Sequence, residues 1–207
     1  MIREYSQTDF ERCKGIINLV WEFDSRFSPN QLSELFKNIY VGNSLSESNF
    51  TKVIEENGIV QGFIFGKSGN RNLYKTEYSG FLGRLKVSYD LCTVKGISLK
   101  RKMNYIKMIN EHEVNRRRIE PNRENEVNLF AVNPNTQGKG FGKLLMNSFI
   151  DFCKEKNVTR ITLETDKECN TGFYDYFGFK VKGEFYSPLL KEYSGKSGMS
   201  FIYELDL

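Results

Sequence analysis

Apolar positions recur along this chain at two spacings, and each spacing predicts an element. Alternation over residues 1–5 reads as a short strand. Thr8 and Glu11 stand three apart in the manner of a capping box, where each side chain satisfies an orphan amide of a helix start. Ile16, Ile17, Leu19, Val20 and Phe23 supply the apolar stripe of that helix. Ser28-Pro29 marks a second start, with Ser28 as N-cap and Pro29 preset at the first helical position. Leu32, Leu35, Phe36 and Ile39 carry its stripe, and residues 41–49 read as turn chemistry. Strands over 50–55 and 59–65 flank Asn57-Gly58, a pair suited to the positive φ of a tight turn, and so predict a hairpin.

From residue 66 to 125 the pattern is mixed and punctuated by Gly80, Gly83 and Gly96. Leu99, Met103, Ile106 and Ile109 predict one amphipathic helix running towards Arg118, which Pro121 stops. The last third is clearer. A strand over 127–132 leads into a glycine-rich turn, then a helix over 143–156 with Leu144, Leu145, Phe149 and Phe152 inward. A strand over 158–163, a short helix over 170–177 and strands over 179–185 and 199–205 follow.

Composition narrows the class. With 207 residues and 39 % hydrophobic side chains, the chain can fill one core. It is expected to form a single domain over residues 1–207, with an atypical insertion at about 69–125. No run approaches the roughly 18–20 apolar residues of a membrane helix, so no membrane partner is expected. The polar first ten residues lack the apolar centre of a secretory signal, which favours a cytoplasmic location. Cys13, Cys92, Cys153 and Cys169 are widely separated and His112 is the only histidine, so no metal site or histidine triad is expected. Cys153 lies on an apolar stripe and reads as packing. The net charge of +4 is mild and tilts only slightly towards phosphate-bearing partners. The runs Lys100-Arg101-Lys102 and Arg116-Arg117-Arg118 read as solvated helix faces; without aromatic stacking partners, they do not predict a nucleic-acid partner.

The strand, turn, helix, strand order of the last third is a βαβ unit. It sets the carboxyl ends of two parallel strands beside a helix N-terminus, where unpaired amides and the positive dipole end favour an anion. Gly138, Gly140 and Gly142 clear side chains from those amides, and Lys139 and Lys143 add charge. A phosphate-binding turn, suited to a diphosphate, follows. Lys143 is followed by Leu144 rather than Ser or Thr, so the triphosphate loop is absent; glycines spaced two and two do not match the dinucleotide fingerprint either.

Residues Val132-Asn133-Pro134-Asn135-Thr136-Gln137-Gly138-Lys139-Gly140-Phe141-Gly142 resemble the acyl-CoA motif of the GCN5-related N-acetyltransferases, Q/R-x-x-G-x-G/A after a strand ending in V-x-P. Phe173-Tyr174-Asp175-Tyr176-Phe177-Gly178-Phe179 resembles that family's downstream F-Y-x-x-x-G-F segment, and Ile2-Arg3-Glu4-Tyr5 with Asp9 resembles its opening. The resemblance implies a mixed α/β fold: a central, mostly antiparallel sheet with a splayed parallel strand pair, flanking helices and here a partly helical insertion. It implies acetyl-CoA as co-substrate, with the pyrophosphate on the amides of Gln137, Gly138, Lys139, Gly140, Phe141 and Gly142 beside Lys143. The pantetheine arm would lie along Phe130, Ala131 and Val132, and Asn170 matches a coenzyme-contacting asparagine. The thioester carbonyl would meet an amide near Ala131 or Val132.

An acceptor amine must be neutral to attack, and the resemblance puts Glu126 at the position where several family members carry their general base; an edge-of-strand, solvated glutamate is the plainer alternative. Tyr174 matches the general acid that protonates the thiolate, against a core-packed tyrosine. Asp166 and Cys169 read as helix-capping loop residues, and Glu22 and Asp24 as either an acceptor lure or a solvated helix end. Together these imply an N-acyltransferase acting on a small-molecule or peptide amine by direct transfer, with a homodimer as the default assembly. The other reading is a catalytically silent acyl-CoA-binding or sensor module, which needs neither Glu126 nor Tyr174.

Overall fold

The computed structural model describes residues 1–69, 75–166, 169, 171–195 and 197–207. The strands β1 (Ile2–Glu4), β2 (Phe50–Glu56), β3 (Ile59–Ser68), β4 (Asn125–Val132), β5 (Arg160–Asp166), β6 (Lys180–Tyr186) and β7 (Met199–Asp206) form one sheet. Its order is β1-β2-β3-β4-β5-β7-β6, and every adjacent pair is antiparallel except β4 and β5. The expected mixed, mostly antiparallel sheet with one parallel pair is therefore present.

Helices cover both faces. On one face lies α6 (Phe141–Glu155), whose Leu145, Met146, Phe149, Ile150 and Cys153 repeat at helical spacing and pack on Ile54, Ile64, Val127, Ile161 and Leu163. Cys153 is fully buried there, as its stripe position predicts, whereas Leu144, expected inward, is 50 % exposed one step off the stripe. On the other face, α1 (Phe10–Trp21) and α3 (Asn30–Ser46) bury Ile16, Ile17, Val41 and Leu45 against Val53, Phe63, Phe65, Leu129 and Ala131. Completely burying a side chain of this size contributes about 1.5–3 kcal/mol. That burial also explains a difference from the sequence pattern: α3 continues to Ser46 through the polar stretch expected to turn, because Val41 and Leu45 keep the inward spacing. The N-terminal cap differs too. Asp9, not Glu11, accepts the amide three residues before it, Ser6 N, at 2.8 Å, and its carboxylate also takes Arg3 at 2.7 Å.

The insertion carries two helices, α4 (Gly80–Thr93) and α5 (Leu99–Ile119). The sequence pattern predicts only the second, because glycines at both Gly80 and Gly83 mask the first. Both dock on α3 and on the short α2 (Phe23–Arg26): Leu91, Val94, Tyr105 and Met108 join Phe27, Leu32, Leu35 and Phe36 in a third cluster. The chain closes with α7 (Thr171–Tyr176) before β6 and α8 (Pro188–Ser194) between β6 and β7.

One irregularity shapes the centre of the sheet. Gly66 pairs with Val127 and the next residue, Phe65, pairs with Leu129, so Asn128 is an extra residue in β4, a β-bulge. Its side chain is pinned to the end of α3, Nδ2 donating to Glu47 O at 3.0 Å and to Ser48 Oγ at 2.9 Å. The bulge inverts the facing of β4. Val127 points towards α6, whereas Leu129 and Ala131 point towards α1 and α3.

Candidate active site

The parallel pair is joined only at its start. Glu126 aligns with Thr162 and Val127 with Leu163, and beyond these β4 and β5 diverge. The β5-facing peptide groups over 128–132 are thus left without a strand partner among the described residues, an open edge for an extended ligand. Phe130 of β4, Ala131 and Val132 lie along that edge, with the Phe130 ring stacked on Phe173 of α7 at 5.4 Å.

The divergence opens towards the start of α6. Asn133 pins this corner to β3, its Nδ2 donating to Gln61 Oε1 at 2.8 Å and its amide to Gln61 O at 2.7 Å. Gly138 (φ 86°) and Gly140 (φ 76°) hold left-handed backbone that side chains resist, and Gly140 is the N-cap of α6 with no side-chain cap. Among the described residues no hydrogen bond takes the amides of Gly138, Gly140, Phe141, Gly142 or Lys143. No added Cβ at Gly138 or Gly140 would meet any atom within 4 Å, so both glycines border open space. Gly142 is different: a Cβ there would stand 3.2 Å from Phe173 and 3.4 Å from Phe130, so this glycine admits the ring pair. Gln137 is exposed at the entrance. Of the two lysines, Lys139 is paired with Glu56 at 2.6 Å, whereas Lys143 lies over the Tyr176 ring at 3.8 Å. Asn170 lies outside the described residues.

Tyr174 is placed where the strands part. Its ring packs edge-on against Phe173 and Phe179, at 5.5 and 6.0 Å. Burial, reinforced by Cys169, pushes the phenol well above its usual range, so it remains protonated at neutral pH and available as a donor. Cys169 is likewise pushed up by burial and by Asp166, and is therefore no ready thiolate.

The other flank of β4 carries a charge cluster. Glu126 is 1 % exposed, and both of its oxygens are taken. Oε1 accepts from Arg116 Nη2 of α5, and Oε2 accepts from Arg123 Nε at 2.8 Å. Burial opposes the charge on Arg123, but Glu126, Glu47 and Glu113 outweigh it and hold the guanidinium firmly protonated. Burial lowers Lys67, the cross-strand neighbour of Glu126. The expected base thus meets a carboxylate already committed to two guanidiniums. Arg116 corrects the sequence reading: far from lying on a solvated face, it is 1 % exposed, while Arg117 and Arg118 are exposed. Lys102 is likewise buried, donating to Cys92 O at 2.5 Å.

Arg116 has a second partner. Its Nε donates to Glu164 Oε2 of β5 at 2.9 Å, and His112 Nε2 lies 3.6 Å from the same oxygen. Ile161 and Leu163 point towards α6, so Thr162, Glu164 and Asp166 point towards α1 and α3. There Tyr40 of α3 stands within electrostatic reach of Glu164, Asp166, Cys169 and Tyr193 of α8, flanked by Trp21 at 5.7 Å and Phe23 at 5.9 Å. Its side chain is 40 % exposed. Burial raises Tyr40 and Tyr193, keeping both hydroxyls protonated. Asp166 accepts the Cys169 amide at 3.1 Å and receives the Tyr193 hydroxyl at 3.5 Å. Glu22 and Asp24 are occupied elsewhere, by Arg26 and Lys37.

Residues 14–179 match the family model described as the Acetyltransferase (GNAT) family. The chain belongs to that family. The GNAT chain is similar in structure to PH1933 from Pyrococcus horikoshii OT3, with a TM-score of 0.61 at 15 % identity, covering 100 % of this chain and 98 % of that one. It is also similar to Ard1 from Thermoplasma volcanium (TM-score 0.52, 20 % identity, coverage 100 % and 97 %). A third is the ribosomal-protein-S18-alanine N-acetyltransferase from Escherichia coli (0.51, 14 %, 100 % and 92 %). At these identities the likeness is one of fold. No curated protein matches the sequence. Among the described residues of the GNAT chain, no group of His, Cys, Asp or Glu could hold a metal ion, and no helix is long and apolar enough to cross a membrane.

The GNAT motif residues were legible from the chain, but Arg116, Arg123, Glu164, Tyr40 and Tyr193 were not singled out. Two signals could have found some of them. Tyr105, Met108, His112 and Arg116 share one face of α5 at spacings of three and four, and the alternation of β5 sets Glu164 opposite Leu163.

Proposed function

We propose that this chain is an N-acetyltransferase that moves the acetyl group of acetyl-CoA directly to a primary amine. The observation that carries this reading is the parting of β4 from β5 onto an uncapped, glycine-cleared helix start. Open amides at Gly138, Gly140, Phe141 and Gly142 suit a diphosphate, with Lys143 beside them and Gln137 and Lys139 at the rim. The open edge at Phe130, Ala131 and Val132 suits the amide-bearing pantetheine arm, and an edge amide there polarises the thioester carbonyl. The Tyr174 phenol returns a proton to the leaving thiolate. Glu126 serves as the anchor at the vertex of the divergence. A coenzyme-binding module without turnover is the reading that its burial would favour.

Calorimetric titration with coenzyme A and thiol release from acetyl-CoA over an amine panel test the proposal together. Binding with sustained turnover is expected, and Tyr174→Phe is expected to lower kcat by about 10²-fold with coenzyme affinity unchanged. Absence of coenzyme binding overturns the proposal, and binding without turnover leaves the silent module.

A further inference from the structure

Helix α4 is apolar on two sides. Leu91 and the capping Val94 turn inward to the third cluster, and Gly83 lets the helix close on Tyr78. The outer side carries a second stripe. Leu82, Leu85, Tyr89 and Cys92 follow at spacings of three and four, with Phe81 alongside, over about 15 Å of helix. All five are exposed, and Phe81, Leu82, Leu85 and Tyr89 each by more than half. Four large apolar side chains in the open on one helix mark an interaction surface.

Charge selects the partner. Residues 80–119 hold ten lysines and arginines against three acids, whereas the rest of the chain holds twenty against twenty-three. The positive excess thus lies entirely on α4, α5 and the turn between them. Arg84 is exposed on α4, and Lys95, Lys100 and Arg101 are exposed where α4 turns into α5, beside Leu99 and Met103, which are also more than half exposed. Arg84, Lys95 and Lys100 have no ion pair among the described residues, and Arg101 has only a long one, 3.8 Å to Glu192. A second copy docked on this face would set the cations against themselves. Grooves of about 680 and 650 Å³ run along α5, and no wall of either comes from α4, so its stripe is a ridge rather than a cleft. Leu82 and Leu85, at the centre of the ridge, offer a nucleic acid neither a stacking face nor a hydrogen bond. A ridge of this kind, edged with cations, fits a partner that is soft, apolar below its surface and anionic.

We propose that the outer face of α4 docks on an anionic lipid bilayer, with Phe81, Leu82, Leu85 and Tyr89 entering the interfacial layer while Arg84, Lys95 and Lys100 meet the headgroup charge. The helix lies on the surface, so the spanning length that no helix among the described residues reaches is not required. The proposal stands independently of the acetyl-transfer reading.

The test uses the full chain and co-sedimentation with vesicles of phosphatidylcholine containing about 30 % phosphatidylserine, against phosphatidylcholine alone. Binding to the anionic vesicles is expected to be at least about tenfold tighter, and to weaken as salt rises from about 0.1 to about 0.5 M. Leu82→Glu combined with Leu85→Glu should lower that affinity by about tenfold or more with the melting temperature unchanged, because both side chains are exposed. Cys92 reports the face directly: Cys13 and Cys153 are buried, and the modification of Cys92 by a water-soluble maleimide, followed by peptide mass, should slow on the anionic vesicles. If the leucine variant does not fold, Arg84→Glu combined with Lys95→Glu decides, and should lose the preference for the anionic vesicles. No co-sedimentation with those vesicles at low salt overturns the proposal, as does equal binding to both vesicles or binding that the folded variant leaves unchanged. A dimer in analytical ultracentrifugation that the leucine variant dissolves, or salt-sensitive capture of a short RNA, in the absence of vesicle binding overturns it in favour of a second copy or a nucleic acid.

Discussion

The two flanks of β4 handle charge by opposite means. At its carboxyl end, the turn into α6 presents main-chain amides that nothing among the described residues takes, and Lys139 at its rim spends its charge on Glu56. At its amino end, four charged side chains from α5, β4, β5 and the preceding loop, Arg116, Glu126, Glu164 and Arg123, are drawn into a largely desolvated cluster. An anion site works by keeping donors open, whereas a buried ion cluster holds only if its partners are all present. One flank is therefore built to be completed by a ligand and the other to fasten the insertion onto the sheet.

The largest effect should come from the fastened flank. Glu126→Ala removes the carboxylate between the buried Arg116 and the largely buried Arg123, and a destabilisation of about 3–5 kcal/mol is expected, read as a lowered midpoint in urea. A loss under 1 kcal/mol would mean that the cluster relaxes into solvent, and the contrast would disappear. The open flank is tested by Gly142→Glu. This substitution puts a carboxylate beside the free amides and forces apart the Phe130–Phe173 pair, 3.2 to 3.4 Å from the new Cβ. Coenzyme A affinity should fall at least tenfold, about 1.4 kcal/mol, and the ring collision predicts a small drop in melting temperature as well. The smallest effect is expected at Lys139→Gln. Its ion pair with Glu56 is 48 % exposed on the lysine side, so stability should change by less than about 0.5 kcal/mol and coenzyme affinity by less than about threefold. A larger loss of affinity would show that the side-chain charge, and not the amides, dominates the turn.

How far the sequence reveals each flank follows from the same contrast. The turn is local: Pro134, three glycines and the strand and helix on either side fix its backbone within a dozen residues, so its geometry can be read along the chain. The Asn57-Gly58 hairpin and the burial of Cys153 are legible for the same reason. The cluster is assembled from positions far apart, with Arg116 lying 48 residues from Glu164, and nothing local distinguishes Arg116 from its exposed neighbours Arg117 and Arg118 except its place on the inner face of α5. Helix α4 hides behind glycines that contradict its propensity, and the tail of α3 is held by tertiary burial of Val41 and Leu45. Tyr40, Tyr193 and Trp21 approach one another from three helices, a placement that periodicity alone cannot give.

The spare residue at Asn128 makes chain length in β4 a functional quantity. Removing one residue there would restore strict alternation and turn Glu126 towards the oily side under α6. The loop beyond Ser68 faces no such arithmetic and has absorbed two helices. A connection to β4 can thus change length without re-aiming a side chain, whereas one residue more or less within the strand turns every side chain on one side of it.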